Sequence, residues 1–295
     1  MRVRPTEAIH FAAIFVLAVL TVVFRGNLED PRGMLLAYAA LAAALIPISL
    51  LARRADRLPA PLTLLLDFYP AVFLPILFNT LSPLIMATRG GARDDLLIAA
   101  DRALFGVDVT VWMERFAHPR VNDVFYVFYS TYYLLALGLG VILWARNRGT
   151  ARRYVFTLMV VYYVSYAGYF TIPALGPRFA QAPLYTKSLT ESPVSRAIND
   201  TINTLEKTKL DVFPSGHTMI SVAVLLVAWK RARDVFWYLL PIATGLIIST
   251  VYCRFHYVVD LIAGTALAFV FVPIGDRIYD RAVSRSRVVA GVPTT

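Results

Sequence analysis

Cysteine and charge are both scarce in this chain of 295 residues. The single Cys253 excludes an intrachain disulfide and a metal cluster built from cysteines. Charged residues make up only 16% of the sequence, whereas hydrophobic residues make up 58% and come in long blocks. Such blocks, without alternation of polar and apolar residues, exclude a soluble globular domain and predict an all-α integral membrane protein.

Internal repeats, low-complexity runs and interdomain linkers are also missing, which favours one compact helical domain. Eight candidate membrane segments lie at 8–24, 34–52, 62–86, 122–144, 154–172, 215–229, 236–252 and 257–274. The predicted organisation is two N-terminal transmembrane helices (1–60), a six-helix core (61–275) and a basic cytoplasmic tail (276–295). The stretch 89–120 mixes apolar and charged residues as an amphipathic helix at the membrane interface does.

The net charge of +10 does not indicate nucleic acid binding, because the basic residues are not gathered with aromatic residues in one patch. They collect instead on one side of the predicted membrane, at the N-terminus, in the loops around 53–57, 146–153 and 230–233, and in the tail. The positive-inside rule then predicts that both termini are cytoplasmic. The composition, rich in arginine and alanine, suggests a bacterial inner membrane.

Two polar motifs stand where apolar segments begin. The first reads Pro-Ser-Gly-His at 214–217, and the second runs from His256 to Asp260 between the seventh and eighth segments. The predicted topology brings both to the non-cytoplasmic, periplasmic face. One helix more or fewer between them would separate the two histidines by a membrane thickness.

The first motif has the residues of a phosphate-binding helix end. Ser215 can cap the helix, Gly216 allows close backbone approach, and the free N–H groups of the first turn attract an anion. His217 in that turn can protonate a leaving group, because imidazole titrates near neutrality. An ordinary helix cap followed by an interfacial histidine would give the same four residues.

The second motif places His256 and Asp260 four residues apart, on one face of a helix. A carboxylate that accepts a hydrogen bond from one ring nitrogen leaves the other free to attack, as in a nucleophilic histidine. The alternatives are a structural His–Asp pair, or zinc held with His217, although the spacing has no metal-finger signature. The motifs therefore predict neither a metal nor a cofactor.

These paired motifs, with Ala263 and Gly264 after the second, resemble the type 2 phosphatidic acid phosphatase (PAP2) superfamily over residues 62 to 274. The stretch 249–264 is most similar to the branch containing inositol phosphorylceramide synthases and sphingomyelin synthases. The resemblance implies a six-helix PAP2-type transmembrane core beside the two N-terminal helices. It also implies a nucleophile at His256, oriented by Asp260, with His217 as general acid and then base.

Two departures from the superfamily pattern concern the phosphate-binding cations. Thr250 stands where the third motif has an arginine, and the first motif, a lysine followed by Arg-Pro, is absent. Arg178, at the exit of the fifth segment, is the best replacement, and Arg254 is a second candidate. The predicted phosphate-binding residues are thus Arg178, Ser215, Gly216 and Arg254.

The resemblance predicts an enzyme that acts on lipid phosphoesters in the bilayer. We expect a phosphotransferase that moves a headgroup such as phosphoinositol from a phospholipid to ceramide or diacylglycerol through a phosphohistidine. The alternative is a PAP2-type phosphatase that releases phosphate to water. A transporter is disfavoured, because neither motif has a second copy.

Two further features leave their roles open. Asp67 lies inside the third segment, where it could be functional or could pair with a basic residue. Tyr162, Tyr166 and Tyr169 fall on one helix face, where they could line a headgroup pocket or only pack against other helices.

Overall fold

The computed structural model describes residues 4–205 and 208–288, and over these residues the chain is helical without strands. The α-helices are α1 (Pro5–Val23), α2 (Pro31–Ala52), α3 (Ala60–Phe68), α4 (Pro70–Phe78), α5 (Leu81–Arg89), α6 (Asp94–Phe105), α7 (Val109–Met113), α8 (Pro119–Ser130), α9 (Tyr132–Arg146), α10 (Arg148–Tyr169), α11 (Pro177–Ala180), α12 (Pro193–Leu205), α13 (Gly216–Arg231), α14 (Arg233–Tyr252) and α15 (Val258–Val288).

Helix starts follow local sequence rules. Pro5, Pro31 and Pro119 each occupy the first position of a helix, where the missing N–H costs nothing. The Asn147 side chain caps α10 by accepting the N–H of Thr150 at 2.8 Å. These signals fix where the apolar segments begin.

Five helical stretches are long and apolar enough to cross a membrane, and the pair α8–α9, bent by 43°, would make a sixth. The five stretches are Pro5–Val23, Pro31–Ala52, Ala60–Phe78, Arg233–Tyr252 and Val258–Ser284. An all-helical integral membrane protein is therefore confirmed. The predicted number of eight spans is not confirmed.

The difference in number comes from α10 and α13, which fall on the predicted segments 154–172 and 215–229. Neither helix is both long enough and apolar enough to be counted as a span, and α13 has only 16 residues. Both helices are heavily buried, with α10 packed against α1, α9, α13 and α15, and α13 packed against α9, α14 and α15. A helix enclosed by other helices meets little lipid, so its surface need not be apolar.

The third predicted segment, 62–86, is not one helix. It divides into α3, α4 and α5, with breaks before Pro70 and at Asn79 and Thr80. Proline removes a backbone donor and its ring clashes with the preceding turn, which accounts for the first break. Residues Ala60–Phe78 still form one stretch long and apolar enough to cross a membrane, and the helix is interrupted beside Pro70.

The two motifs meet because α15 lies directly against the start of α13. A Cβ added at Gly264 would lie 2.6 Å from the carbonyl oxygen of Ser215, so only glycine allows this approach. The Ser215 N–H in turn donates to the carbonyl oxygen of Asp260 at 3.1 Å. The second motif is thereby fixed to the first through backbone contacts.

Ion pairs join the arginine-rich segments at the opposite end of the bundle. Arg146 binds Asp234 through both guanidinium arms, at 2.8 and 2.5 Å, and Arg153 binds Asp276 and Asp280 at 3.1 and 2.7 Å. Helix α15 continues to Val288, so the predicted tail 276–295 begins as helix, and 289–295 lie outside the described residues. That this end is cytoplasmic stays a prediction.

The stretch 89–120 forms α6 and α7, which are amphipathic as predicted. Leu104, Phe105, Trp112 and Phe116 are exposed, whereas the acidic face of α6 is buried. The stretch 173–214, which leads into the first motif, contains the short helix α11 and the longer helix α12. Helix α12 packs against α8 beside the motifs.

Candidate active site

His217 and His256 lie side by side in the structure. His217 is in the first turn of α13 and His256 is in the turn between α14 and α15. Their ring centroids are 5.7 Å apart in an edge-to-face arrangement, and both side chains are buried. The fold therefore brings the two motif histidines together, and their action on a common substrate stays a prediction.

The ring of His256 is held through its Nδ1 atom, which lies 3.0 Å from the carbonyl oxygen of Val212. Because a carbonyl oxygen can only accept, Nδ1 carries the proton and Nε2 has the free lone pair. Asp260 Oδ2 is further away, at 3.5 Å from Nδ1, and it accepts the Tyr257 N–H at 2.8 Å. Orientation of the ring is thus shared between a backbone carbonyl and the predicted carboxylate.

The surroundings of His256 favour its neutral form. Burial lowers the pKa of His256 to about 4, although Asp211 and the Val212 carbonyl act in the opposite direction, and Arg178 adds to the lowering. At neutral pH the imidazole is therefore uncharged. A neutral ring with a free Nε2 lone pair is the form required of a nucleophile.

The start of α13 is built as predicted from Ser215 and Gly216. The Ser215 hydroxyl oxygen accepts the N–H of Thr218 at 3.2 Å, which is the capping bond, and the side chain is fully buried. Gly216 and His217 line a cavity in front of the helix end. The His217 ring lies between the rings of Tyr129 and Tyr132, at centroid distances of 4.7 and 4.3 Å.

Arg178 belongs to the same group of residues. Its guanidinium lies 4.6 Å from the ring centroid of Phe255, the neighbour of His256, and donates to Asn203 Oδ1 at 3.2 Å. Its charge acts on both His256 and Asp211. Gly176, two residues earlier, has φ +87° and lies against the carbonyl of Phe255, which brings this loop to the site.

The guanidinium of Arg254 is engaged elsewhere. It donates to Glu114 Oε2 at 2.9 Å and to the carbonyl oxygen of Lys187 at 3.0 Å, and it stacks over Tyr185 at 3.7 Å. Burial alone would raise the pKa of Glu114, but hydrogen bonds from Thr186 and the charge of Arg254 outweigh it and lower the pKa. The structure therefore groups Arg254 with Glu114 and Arg178 with the histidines.

Asp211 is a residue of the site that sequence reasoning missed. It is half-buried, and with Gly216 and His217 it lines the cavity in front of α13. Burial raises the pKa of the Asp211 carboxyl, while the charges of His256 and Arg178 lower it in part. The available signal in the sequence was the position of Asp211 just before the Pro-Ser-Gly-His motif.

Two carboxylates of α6 were missed as well. Asp94 accepts the N–H groups of Leu175 and Gly176, at 2.9 and 2.8 Å, in the loop that leads to Arg178. Asp101 accepts the first two N–H groups of α15 at 2.9 and 2.8 Å. The two residues are two helical turns apart, so one face of α6 positions segments on both sides of the histidines.

Two apolar cavities reach His217. The first runs along α10 between α4, α9 and α13, and Tyr162, Tyr166 and Tyr169 line it. The second lies between the α8–α9 bend and α12, where Ala197, Ile198 and Ile202 line it. His217 therefore stands at a junction between two largely apolar spaces, as a site for lipid chains requires.

Comparison with known proteins identifies the family. The family model described as the PAP2 superfamily matches residues 95–274, which include both motifs, Arg178 and Arg254. No curated protein and no solved structure matches the chain significantly. Members of the matched superfamily are phosphoesterases and phosphotransferases that act on lipid phosphates. Because the match covers more than half of the chain and contains the paired histidines, the chain belongs to the PAP2 superfamily and is an enzyme of this kind.

Proposed function

We propose that the chain is a lipid phosphotransferase that moves a phosphate-bearing headgroup from a phospholipid to a lipid alcohol through a phosphohistidine at His256. The observation that carries this proposal is the presence of two apolar cavities that both reach His217. Hydrolysis requires space for one lipid and water, whereas transfer requires space for two lipid molecules beside the same acid–base group. The arrangement thus favours transfer over release of phosphate to water.

In the first step, Nε2 of His256 attacks the phosphorus of the donor. A P–N bond forms while the bond from phosphorus to the diacylglycerol oxygen breaks. His217, whose protonated form is favoured by the bound phosphate anion beside it, gives its proton to that oxygen. Positive charge develops on the His256 ring, and the Val212 carbonyl and the Asp260 carboxylate face the nitrogen that carries the proton. Arg178 and the start of α13 stabilise the phosphate oxygens.

In the second step, the acceptor enters beside His217, which now takes the proton of the acceptor hydroxyl. The hydroxyl oxygen attacks phosphorus, the P–N bond breaks, and both histidines return to their starting state. Asp211 faces the first cavity, and its carboxylate can accept hydrogen bonds from a hydroxyl-rich headgroup such as inositol. Arg254, held by Glu114, positions the turn that carries His256.

The test supplies the purified chain with labelled phosphatidylinositol, with and without ceramide or diacylglycerol, in the presence of a chelator. We expect a new labelled phospholipid that depends on the acceptor and is absent with His256→Ala. Release of labelled headgroup phosphate to water at the same rate with and without acceptor would instead establish a phosphatase.

A second variant tests the role of the cavity beneath α12. Ala197→Phe fills that cavity, and we expect it to reduce transfer at least about tenfold while slow hydrolysis continues. Asn199→Phe, on the same helix but outside the cavity lining, is the matched control and should leave both rates unchanged. Equal loss of both reactions with Ala197→Phe would contradict a separate acceptor space.

A further inference from the structure

Three arginines converge on one carboxylate at the end of the bundle opposite the histidines. Asp67, in the last turn of α3, has a fully buried side chain. Arg152 Nε lies 2.8 Å from Asp67 Oδ1, Arg4 Nη1 lies 3.1 Å from the same oxygen, and Arg148 Nη2 is 3.7 Å from Oδ2. Trp144 Nε1 donates to Oδ2 at 3.2 Å. Helices α1, α3, α9 and α10 thus all contribute to the cluster.

Among the side chains that the structure describes, the cluster carries more positive than negative charge. Glu7, on α1, also interacts electrostatically with Arg4 and Arg152. Even if both carboxylates are counted as charged, three guanidinium groups leave one positive charge in excess. The Glu7 oxygens are buried and accept no hydrogen bond within the described part of the chain, so Glu7 does not satisfy the arginines.

Several guanidinium donors of the cluster are unused. Over residues 4–205 and 208–288, Nε and Nη2 of Arg148 and Nη2 of Arg152 are shielded from solvent and donate no hydrogen bond. A buried donor without an acceptor costs free energy, more so when it is charged. The three arginine side chains are between 22% and 33% exposed, so the cluster borders the surface although these three nitrogens are enclosed.

The unused donors distinguish this cluster from neighbouring arginines at the same end of the bundle. Arg146 directs both arms at Asp234, and Arg153 binds Asp276 and Asp280. General enrichment in arginine at this end therefore does not explain the cluster. Charged donors without a hydrogen bond and a positive charge in excess together favour the binding of an anion.

We propose that Arg4, Arg148 and Arg152 form a binding site for a phosphate group, separate from the histidine site. The planar fork of arginine matches phosphate oxygens through two parallel hydrogen bonds, and on Arg148 Nε donates no hydrogen bond while Nη2 makes only the ion-pair contact to Asp67 at 3.7 Å. The site lies where α1, α3 and α10 end, so a phospholipid headgroup in the adjacent leaflet can reach it, as can free phosphate. Occupation would link α1 to the core helices through one ligand.

The test measures binding to the full chain in detergent by native mass spectrometry, with added phosphatidylglycerol, phosphatidylcholine or inorganic phosphate. We expect phosphatidylglycerol to be retained more strongly than zwitterionic phosphatidylcholine. Arg148→Gln combined with Arg152→Gln should weaken this retention at least about tenfold, the loss expected for charged hydrogen bonds. Retention of inorganic phosphate, but not of phosphatidylglycerol, with the same dependence on the two arginines would identify free phosphate as the ligand.

Two further variants keep the proposal falsifiable if the double variant fails to fold. Arg148→Lys keeps the charge and leaves Asp67 its bonds from Arg4 and Arg152, but removes the fork, so we expect a similar loss. Arg146→Gln removes one positive charge at the same end and should change nothing. Equal retention by all variants, or equal loss with Arg146→Gln, would overturn the proposal. Because the histidine site is intact in every variant, these outcomes do not depend on the transfer reaction.

Discussion

The Nδ1 atom of His256 lies 3.0 Å from the carbonyl oxygen of Val212, 44 residues earlier in the chain. This bond joins the two motifs, because Val212 stands just before the cis peptide bond between Phe213 and Pro214 that leads into α13. The segment that presents the proposed acid–base histidine therefore also sets the tautomer of the proposed nucleophile.

This bond leads to a specific expectation for Asp260→Asn. If the carboxylate alone set the tautomer, as in serine proteases, the loss in kcat would be on the order of 10⁴. With the Val212 carbonyl holding Nδ1–H, we expect a loss of only about 10- to 100-fold, which is typical of a supporting partner. Steady-state kinetics with labelled phospholipid would measure the loss in kcat of Asp260→Asn. A loss near 10⁴ would mean that Asp260 acts as the dominant orienting group.

Substitution of His256 and of His217 should have different effects on turnover and on phosphate labelling of the protein. His256→Ala should abolish turnover and phosphate labelling of the protein, because no covalent intermediate can form. His217→Gln should reduce kcat by about 10²- to 10⁴-fold, the contribution of general acid–base catalysis. Acid-labile protein-bound label after a rapid quench reports the intermediate. Labelling of His256→Ala at the level of the unmodified protein would refute His256 as nucleophile.

The acid limb of the pH profile should lie well below the ordinary range of histidine. Burial lowers the pKa of His256 to about 4, so the neutral nucleophile persists as pH falls from 7 to 5 and is lost only as pH passes through about 4. We therefore expect kcat/KM to fall as the pH passes through about 4, because His256 becomes protonated there. An acid limb near pH 6.5 that persists in the residual activity of His217→Gln would contradict the burial argument.

Substitutions of Arg178 and of Arg254 should affect kcat and thermal stability to different extents. Arg178→Lys removes planar contacts to phosphate and should lower kcat by about 10²- to 10³-fold with little effect on thermal stability. Arg254→Lys breaks the buried contacts to Glu114 and Lys187 and should lower the melting temperature more than it lowers kcat. Thermal denaturation and kinetics of both variants decide between these roles. The reverse pattern would make Arg254 the phosphate ligand.

Helix α6 offers a matched pair of acidic residues. Asp94 accepts three hydrogen bonds, two from backbone N–H groups and one from the Tyr257 hydroxyl at 2.9 Å, whereas its neighbour Asp95 is exposed and pairs only with Arg93 at 3.5 Å. Asp94→Asn should reduce kcat about 10- to 100-fold with a smaller change in KM. Asp95→Asn should be neutral. Equal effects of the two substitutions would show that α6 acts through its charge and not through these bonds.

Much of the candidate site could be predicted from short patterns in the sequence. The His217 and His256 motifs, the capping serine and the apolar segments are encoded over short stretches, and the structure brings the two rings within 5.7 Å of each other. Asp67 pairs with basic residues, which was one of its two expected roles. The three tyrosines of α10 line the first cavity, although their function stays a prediction.

Residues whose partners are distant in the chain could not be found in this way. Asp94 and Asp101 receive backbone N–H groups from segments 81 to 158 residues away, and backbone donors leave no trace in a sequence. The predicted number of spans is not confirmed for a related reason, because the burial of α10 and α13 depends on which helices surround them. The assignment of Arg254 likewise depended on Glu114, 140 residues earlier.

The close approach at Gly264 restricts how this enzyme can diversify. With 2.6 Å between a would-be methyl group and the backbone oxygen of Ser215, any larger residue would wedge apart the two helices that hold the imidazoles. We therefore expect changes in lipid preference to arise in the walls of the two cavities, away from the contact that sets the spacing of the two imidazole rings. The residues that hold the two histidines together are in this sense different from those that would select the lipid.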